Sequence, residues 1–419
     1  MNVNRDEANR RPRGCGRAAA FVVVALPFWL AACGTGDRPP GPEVRMRDSA
    51  GVRLVENTAP ANRLRLDPVT AVTAAGDEAD PAFRLTGITA LGDSMVVVAN
   101  SGGFSIDAYD AAGGLLWRTG REGKGPGEFE GELRIFRYRA DSLLAYDWNL
   151  RRITVLDLAG QVARTATLSD AEPNPSVLGT LADGSIVVGS RHLRLALGLN
   201  VDSTVVALHS PDGARQRVVT SLAIEPVYMT YLDRVPVVDT QPMAAIASVT
   251  AFGDGLAVMG GARPAIAVLG TDGSLARIIR WPEPAEAVTP EVHRRWVEWD
   301  SLTLADRNPF GDFAKTPDVR SRWRGVAVFP DSTPVTRRIA FDDQGNLWSL
   351  SWTPPWERRA EWNVFDPEGR WLAAVELPAA VQGFAAGTGI LATIETDSLD
   401  VELVRTYAIS LGGATTDER

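Results

Sequence analysis

Cysteine, histidine and lysine are all scarce in this chain of 419 residues: two Cys, three His, and Lys only at 124 and 315. Both cysteines, Cys15 and Cys33, fall within the first 33 residues, so the body has no disulfide framework, thiolate metal cluster or cysteine nucleophile. His192, His209 and His293 are widely separated, and no H-E-x-x-H or other short ligand spacing occurs. No serine stands in G-x-S-x-G. A long basic run is missing too, and 43 basic against 52 acidic residues give a net charge of −9, which argues against nucleic acid as a partner.

What the N-terminus does have is a processing signal. Arg10, Arg11, Arg13 and Arg17 precede the apolar run Ala18 to Leu30, whose thirteen residues are too few to span a bilayer. The run ends in Leu30-Ala31-Ala32-Cys33, which resembles the lipobox of bacterial lipoproteins. That resemblance implies cleavage after residue 32, lipidation of Cys33, and a stable anchor made of two or three acyl chains. Residues 33–43 are Gly/Pro-rich and read as a tether. Without residues 1–32 the balance is 38 basic against 50 acidic, a net of −12. Gly34 lacks the aspartate that retains some enterobacterial lipoproteins at the inner membrane, so the resemblance favours the outer one. The expectation is an extracytoplasmic protein lipid-anchored to the cell envelope.

The stretch "GREGKGPGEFEG" at 120–131 invites comparison with a phosphate loop. Its spacing fails: Arg118 stands where the first P-loop glycine belongs, and Gly125 follows Lys124 in place of Ser or Thr. G-x-G-x-x-G fails as well, and no helix follows to offer its N-terminal amides. The stretch reads instead as a crossing between structural units, with Phe129 as its apolar anchor.

A repeat organises the rest. Hairpins with turn glycines occur at 104–120, 152–168, 204–222, 264–281 and 361–377, with Gly113, Gly160, Gly213, Gly273 and Gly369 in the turns. Each is preceded by a second hairpin, at 88–100, 134–148, 177–190, 249–261 and 338–352; a sixth hairpin at 381–396 has a less regular partner at 401–413. Four strands per unit and six units predict an all-β fold, a six-bladed β-propeller spanning 44–413, with a partly helical insert (282–337) between blades 4 and 5 and a tail at 414–419. Two β-sandwiches, the other all-β solution, carry no such period. The strand at 51–57 lies outside the pairs and is expected to close the ring on the last blade.

The run "GREGKGPGEF", followed one blade later by "YDWNLRRITVLDLAG", resembles the six-bladed propellers of the NHL-like group. Asp147, Arg152, Ile153, Asp157 and Gly160 match the group's hairpin pattern, while Asn149 falls one place early and Leu156 replaces an aromatic. Only this blade matches, so the resemblance carries the fold and not a chemistry. Some six-bladed relatives are zinc lyases or calcium-dependent lactonases. The histidines for zinc are missing, while a calcium site of scattered Asp and Asn lining the channel stays open.

Alternation of strand direction places the short turns on one face and the long connections (120–131, 191–202, 282–337 and 353–360) on the other. Long loops on a rigid scaffold are where binding residues concentrate. Candidates on that face are Trp148, Asn149, Arg151, Trp352, Trp356, Arg358 and Arg359. In "TPEVHRRWVEWDSL" (289–302), Thr289 caps a helix, Pro290 takes its first position, and Val292, Trp296 and Trp299 share one face. That helix is a candidate lid over the channel, or else packs its tryptophans on neighbouring blades. Nine of twelve tryptophans fall between 281 and 371; Trp348, Trp362 and Trp371 lie on strands and are assigned to the core.

Three functions fit these observations. The first is binding of a small molecule, glycan or protein partner on the long-loop face. A metal-dependent hydrolase or lyase of calcium type, with carboxylates in the central channel, is the second, and a structural envelope lipoprotein is the third. Catalytic motifs are lacking, so no catalytic residue is assigned. Inward carboxylates at the channel mouth would favour the enzyme; an apolar or arginine-lined channel would favour binding.

Overall fold

The computed structural model describes residues 42–66, 70–72, 84–169, 173–232, 234–303, 317–357, 359–377, 381–396 and 401–411. The signal segment, Cys33, most of the tether, Arg358 and the tail at 414–419 lie outside the described residues. All that is described belongs to one compact unit, Gly41–Arg419.

Four strands open the chain: β1 (Val44–Ser49), β2 (Val52–Asn57), β3 (Asn62–Arg65) and β4 (Thr70–Val72). An antiparallel meander follows, β5 (Leu85–Leu91), β6 (Met95–Asn100), β7 (Ser105–Asp110) and β8 (Leu115–Thr119), and then another, β9 (Leu133–Tyr138), β10 (Ser142–Asp147), β11 (Arg152–Asp157) and β12 (Val162–Thr167). Next come β13 (Pro175–Thr180), β14 (Ile186–His192), β15 (Gly198–His209) and β16 (Arg215–Leu232), with β17 (Val235–Thr240) added at the edge. The meander of β18 (Ser248–Phe252), β19 (Gly255–Met259), β20 (Ala265–Gly270) and β21 (Leu275–Arg280) is joined to it by one parallel pairing, Gly179 with Ala251. After α1 (Pro290–Thr303) and α2 (Pro317–Val326) come β22 (Thr336–Phe341), β23 (Leu347–Ser351), β24 (Ala360–Phe365) and β25 (Trp371–Leu377). The last strands are β26 (Gly383–Ala386), β27 (Ile390–Thr396) and β28 (Glu402–Ala408).

The first strands of the meanders, β5, β9, β13, β18, β22 and β26, lie side by side in that order, and β26 returns to β5. Between each pair of neighbouring meanders sits one apolar cluster, such as Val97, Ile106, Phe129 and Leu143 between β5–β8 and β9–β12. A cluster of Val98, Ile390, Ile394 and Val404 closes the circle. Radial sheets buried on both faces around a central axis are the architecture of a β-propeller. Continuous apolar runs on the middle strands, such as VVVA in β6 and LLAY in β10, explain it, because they put apolar side chains on both faces of a sheet, which can bury them only against its neighbours. Trp348, Trp362 and Trp371 are buried as the sequence suggests.

Closure differs from expectation. The segment at 51–57 forms β2, which pairs in parallel with β21 and not with the last sheet. The fourth strand of the last sheet is β4, which pairs with β28. Within the described residues 401–411 one strand forms, β28, where a hairpin was expected. Strand β3 lies between these two, paired in parallel with β25. The N-terminal strands therefore line the outer edges of three successive sheets.

Residues 191–202 are also not the long loop the sequence suggested. Strand β14 runs to His192 and β15 begins at Gly198, so most of the stretch extends the sheet. The 18-residue β16 carries that extension further, and β17 folds back along it. Val, Leu and Thr alternation continues through these residues, which makes strand cheaper than loop here.

Candidate functional site: the central channel and the long-connection face

The crossing at 120–131 is fastened at many points. Phe129 is fully buried, and its N–H donates to the Arg121 carbonyl at 2.8 Å. One Glu128 oxygen accepts the Gly125 N–H at 2.7 Å; the other accepts the Arg121 guanidinium, also at 2.7 Å. These bonds hold the Glu128 carboxyl below the usual range, the Gly125 amide contributing most. Arg152 donates to the carbonyls of Lys124, at 2.6 Å, and Glu128. At Gly120 (φ 116°) a Cβ would stand 2.7 Å from the Phe129 ring, which is why glycine occupies it. The lysine of the run, Lys124, faces Glu130 at 3.1 Å.

The β10–β11 turn beside this crossing holds Trp148, Asn149 and Arg151, all exposed. Asn149 donates to the Glu130 carbonyl at 3.2 Å, and Arg151 takes a left-handed φ of 48° that lets the turn close. Beneath them the buried Asp147 accepts the N–H groups of Glu130 (2.7 Å) and Leu150 (3.0 Å).

Trp352, Trp356 and Arg359 lie across the ring, in the β23–β24 connection. Trp352 is half-buried and its N–H donates to the Val335 carbonyl at 2.8 Å. Trp356 lies under the guanidinium of Arg295, 4.7 Å from the ring centroid, which ties α1 to this connection. Arg359 is exposed and pairs with Glu357 at 2.8 Å. The structure thus splits the candidates into two groups on opposite rims of one face.

Helix α1 begins as its sequence suggests. Thr289 Oγ1 accepts the Val292 N–H at 3.3 Å, and Pro290 opens the helix. Trp296 is buried and meets Phe329 edge-on with ring centroids 5.2 Å apart, while His293 lies on the same ring at 4.1 Å. Trp299 is half-buried. Trp296 therefore holds the helix to the segment after α2. The buried Asp300 accepts Arg324 at 2.6 Å and joins the two helices, while Trp323 of α2 rests on Tyr228 of β16 at 5.6 Å.

The residues that face the axis were not singled out in the sequence. A cavity of ≈ 200 Å³ lies among the C-terminal halves of the six inner strands, with Ile88, Ile135, Phe136, Phe341 and Phe384 in its wall. Those halves lead to the short turns, so the cavity sits towards the short-turn face. Arg137 of β9 reaches Asp343, just past β22, at 3.7 Å, and Thr388 donates to the same carboxylate at 3.2 Å. Strands β9 and β22 stand on opposite sides of the ring, so this ion pair bars the channel at its short-turn end.

Arginine dominates above the bar. The six inner strands read LTGITAL, LRIFRY, PSVLGT, SVTAF, TRRIAF and GFAA, and their only charged residues are Arg134, Arg137, Arg337 and Arg338. Arg338 donates to the Gln382 carbonyl at 2.9 Å, and Arg134 to Glu132 at 2.6 Å. Burial lowers the pKa of Arg338, and the charges of Arg337 and Arg134 push it the same way. Arg338 keeps solvent contact yet is ringed by protein, the situation of a side chain that lines a channel. Its coupling to Arg134, from the opposite side of the ring, acts across that channel. The signal was legible: reading only the first strand of each hairpin pair for charge returns these four residues.

The carboxylates that line the cavity are Asp342 and Asp343, and Asp343 already faces Arg137 at 3.7 Å. The inner strands offer no carboxylate, and the buried Asp342 beside them is already engaged: it accepts the N–H groups of Gln344 (3.0 Å) and Asn346 (2.8 Å), the Asn346 amide (2.8 Å) and the Trp348 indole (3.0 Å). Burial raises its pKa, against the effect of those bonds. Among the described residues no three His, Cys, Asp or Glu side chains converge as metal ligands.

No protein-family model matches the chain, and no curated protein is similar to it in sequence. Among solved structures it is similar to a putative exported protein from Bacteroides fragilis, with 8% identity over 83% of this chain and 99% of that one and a TM-score of 0.43. A DUF4221 family member from Bacteroides vulgatus gives 10% identity over 88% and 98%, with a TM-score of 0.44. A gluconolactonase from Xanthomonas campestris gives 15% identity over 84% and 98%, at a TM-score of 0.35. The propeller assignment rests on the sheet topology alone.

Proposed function

We propose that this protein is a lipid-anchored, extracytoplasmic six-bladed propeller that binds an anionic ligand in its central channel, entered from the long-connection face. Counting each four-stranded meander as a blade gives six, with β4 completing the last. Cys33 carries the lipid, in the outer membrane by the identity of residue 34.

One observation carries the binding reading: in a chain of net charge −9, the strands that line the channel contribute four arginines and no carboxylate. Guanidinium groups held in a low-dielectric channel favour carboxylate and phosphate, which they can grip with paired N–H donors. Arg137 is committed to Asp343, while Arg134, which also pairs with the exposed Glu132 at 2.6 Å, stands with Arg337 and Arg338 on the long-connection side. Rim residues there, Trp148, Asn149 and Arg151 on one side and Trp352, Trp356, Arg358 and Arg359 on the other, would contact the rest of a larger ligand.

Calorimetric titration of the full chain in detergent with citrate and with inorganic phosphate tests this reading. Saturable binding that Arg338→Ala and Arg134→Ala each weaken about tenfold is expected, the size of one lost charge-assisted contact. Binding unchanged in both variants, or no binding of either anion, would overturn it. Mass spectrometry of the N-terminal peptide, with Cys33→Ala as control, tests the anchor independently.

A further inference from the structure

The central channel changes chemistry with depth. Arg134 lies near the start of β9, and Arg337 and Arg338 near the start of β22, at the long-connection end of each strand. Two to three residues deeper, about 7–10 Å along a strand, stand Phe136 and Phe341. Arg137 and Asp343 come next and bar the channel. A ligand entering from the long-connection face therefore meets guanidinium groups first and an apolar chamber second.

That chamber is the cavity of ≈ 200 Å³. Ile88, Ile135, Phe136, Leu178, Phe341 and Phe384, from five of the six inner strands, form its apolar wall. The wall is held in place from behind. Phe384 stacks on Trp362 with ring centroids 4.0 Å apart, and Phe136 and Phe341 pack against the clusters between the sheets. Most polar side chains in the wall already have partners. Arg137 and Asp343 face each other, Asp342 accepts four hydrogen bonds, and Thr180 donates to the Arg137 carbonyl at 2.8 Å. Neighbouring inner strands also share main-chain groups. Thr86 donates to the Leu133 carbonyl at 2.6 Å, and Ser248 accepts the Ile339 N–H at 3.3 Å. Of the polar side chains lining the cavity, that leaves the hydroxyls of Thr89 and Thr250, too few to take over the hydration of a sugar ring.

Volume sets the size of an apolar occupant. An apolar cavity of about 150 Å³ holds benzene. At ≈ 200 Å³ this chamber has room for one six-membered ring on a short arm and none for a second ring.

We infer that the anion bound in the channel is a carboxylate with one compact apolar tail, of the arylalkyl class. Its carboxylate sits on Arg338 and Arg134, and its tail fills the chamber down to the Arg137–Asp343 floor. The inference rests on the anion reading proposed above and narrows it. Burial of the tail, and not added charge, selects this ligand over citrate or phosphate.

The test is calorimetric titration of the full chain in detergent with phenylpropionate, acetate, phenylpropanol and biphenylpropionate. Phenylpropionate should bind about fiftyfold more tightly than acetate, the worth of burying a group the size of a Phe side chain. Arg338→Ala should weaken phenylpropionate about tenfold. Biphenylpropionate should keep no advantage over acetate, because its second ring does not fit. Thr250→Phe, which puts a ring into the chamber, should remove the advantage of phenylpropionate and leave citrate binding as it was. The ligand series needs no variant, so it decides the matter even where Thr250→Phe fails to fold. Phenylpropionate no tighter than acetate, in a chain that still binds citrate through Arg338, would overturn the tail and leave the anion reading standing. Phenylpropanol as tight as phenylpropionate would overturn both, because the arginines would then contribute nothing.

Discussion

The short-turn face and the long-connection face are ends of the same strands, yet they are constrained in opposite ways. On the short-turn face the turn of one meander packs on the last strand of the meander before it. Gly213 approaches Thr167 so closely that a Cβ would stand 2.3 Å from its carbonyl oxygen, and Gly160 meets the Trp117 ring in the same manner. Gly273 against Val219 and Gly369 against Ile279 repeat the contact. With the Arg137–Asp343 pair across the axis, this face acts as a clasp. Among the described residues the other face shows no such repeated contact, and the crossing at 120–131 is stabilised by its own local bonds. Uniform packing thus locks one end and leaves the other open to elaboration.

The sharpest way to break this comparison is at a clasping turn. Gly213→Val, at φ 89° and against backbone, should cost about 3 kcal/mol in urea unfolding. A cost below that of an ordinary surface change would mean that the turns do not clasp. Next in size, Arg137→Ala removes the bar and leaves Asp343 in a buried position. A loss of about 1 kcal/mol is expected, the value for a pair with one partly exposed member, and anion affinity from the long-connection side should be unchanged.

A smaller, pH-dependent effect belongs to the long-connection face. Glu283, which accepts the Trp281 indole at 2.6 Å and Asn363 at 3.2 Å, has its pKa raised chiefly by burial. The folded chain then holds that proton more tightly than the unfolded chain, so this contribution is full below the ordinary glutamate range and is lost as pH rises through the folded value. Glu283→Gln should therefore raise the melting temperature near neutral pH, with the gain vanishing towards about pH 4. A gain independent of pH would show that charge is not the cause. Smallest of all, Trp148→Ala should change stability by less than about 0.5 kcal/mol, because the exposed ring supports nothing below it. A larger loss would make Trp148 a packing residue and remove it from the binding rim.

Sequence periodicity made the sheets legible because each strand alternates around a turn glycine, and the cap at Thr289 was readable because Thr-Pro before an apolar helical face has few other uses. Ring closure was not, since strands β2, β3 and β4 pair with residues more than two hundred positions away and carry no local mark of their partners. The extension of β15 and β16 was hidden by Leu-rich residues that fit loop or strand equally well until a partner strand is in place. Of the rim residues only Trp352, Trp356 and Arg359 could be read as members of a long connection, Trp148, Asn149 and Arg151 lying in a short turn, and the channel arginines required knowing which strand of each meander is innermost.

The parallel edge pairings of β2 and β3 and the closing of the ring by β4 also impose an order in time. Residues 52–72 are made long before their partners at 277–280, 373–376 and 404–406. Strand β2 has only β1 as a partner until 277–280 are made, and β3 and β4 wait for residues past 372. Such distant pairings make for slow folding. The strands that are made first are thus the last to be sewn in.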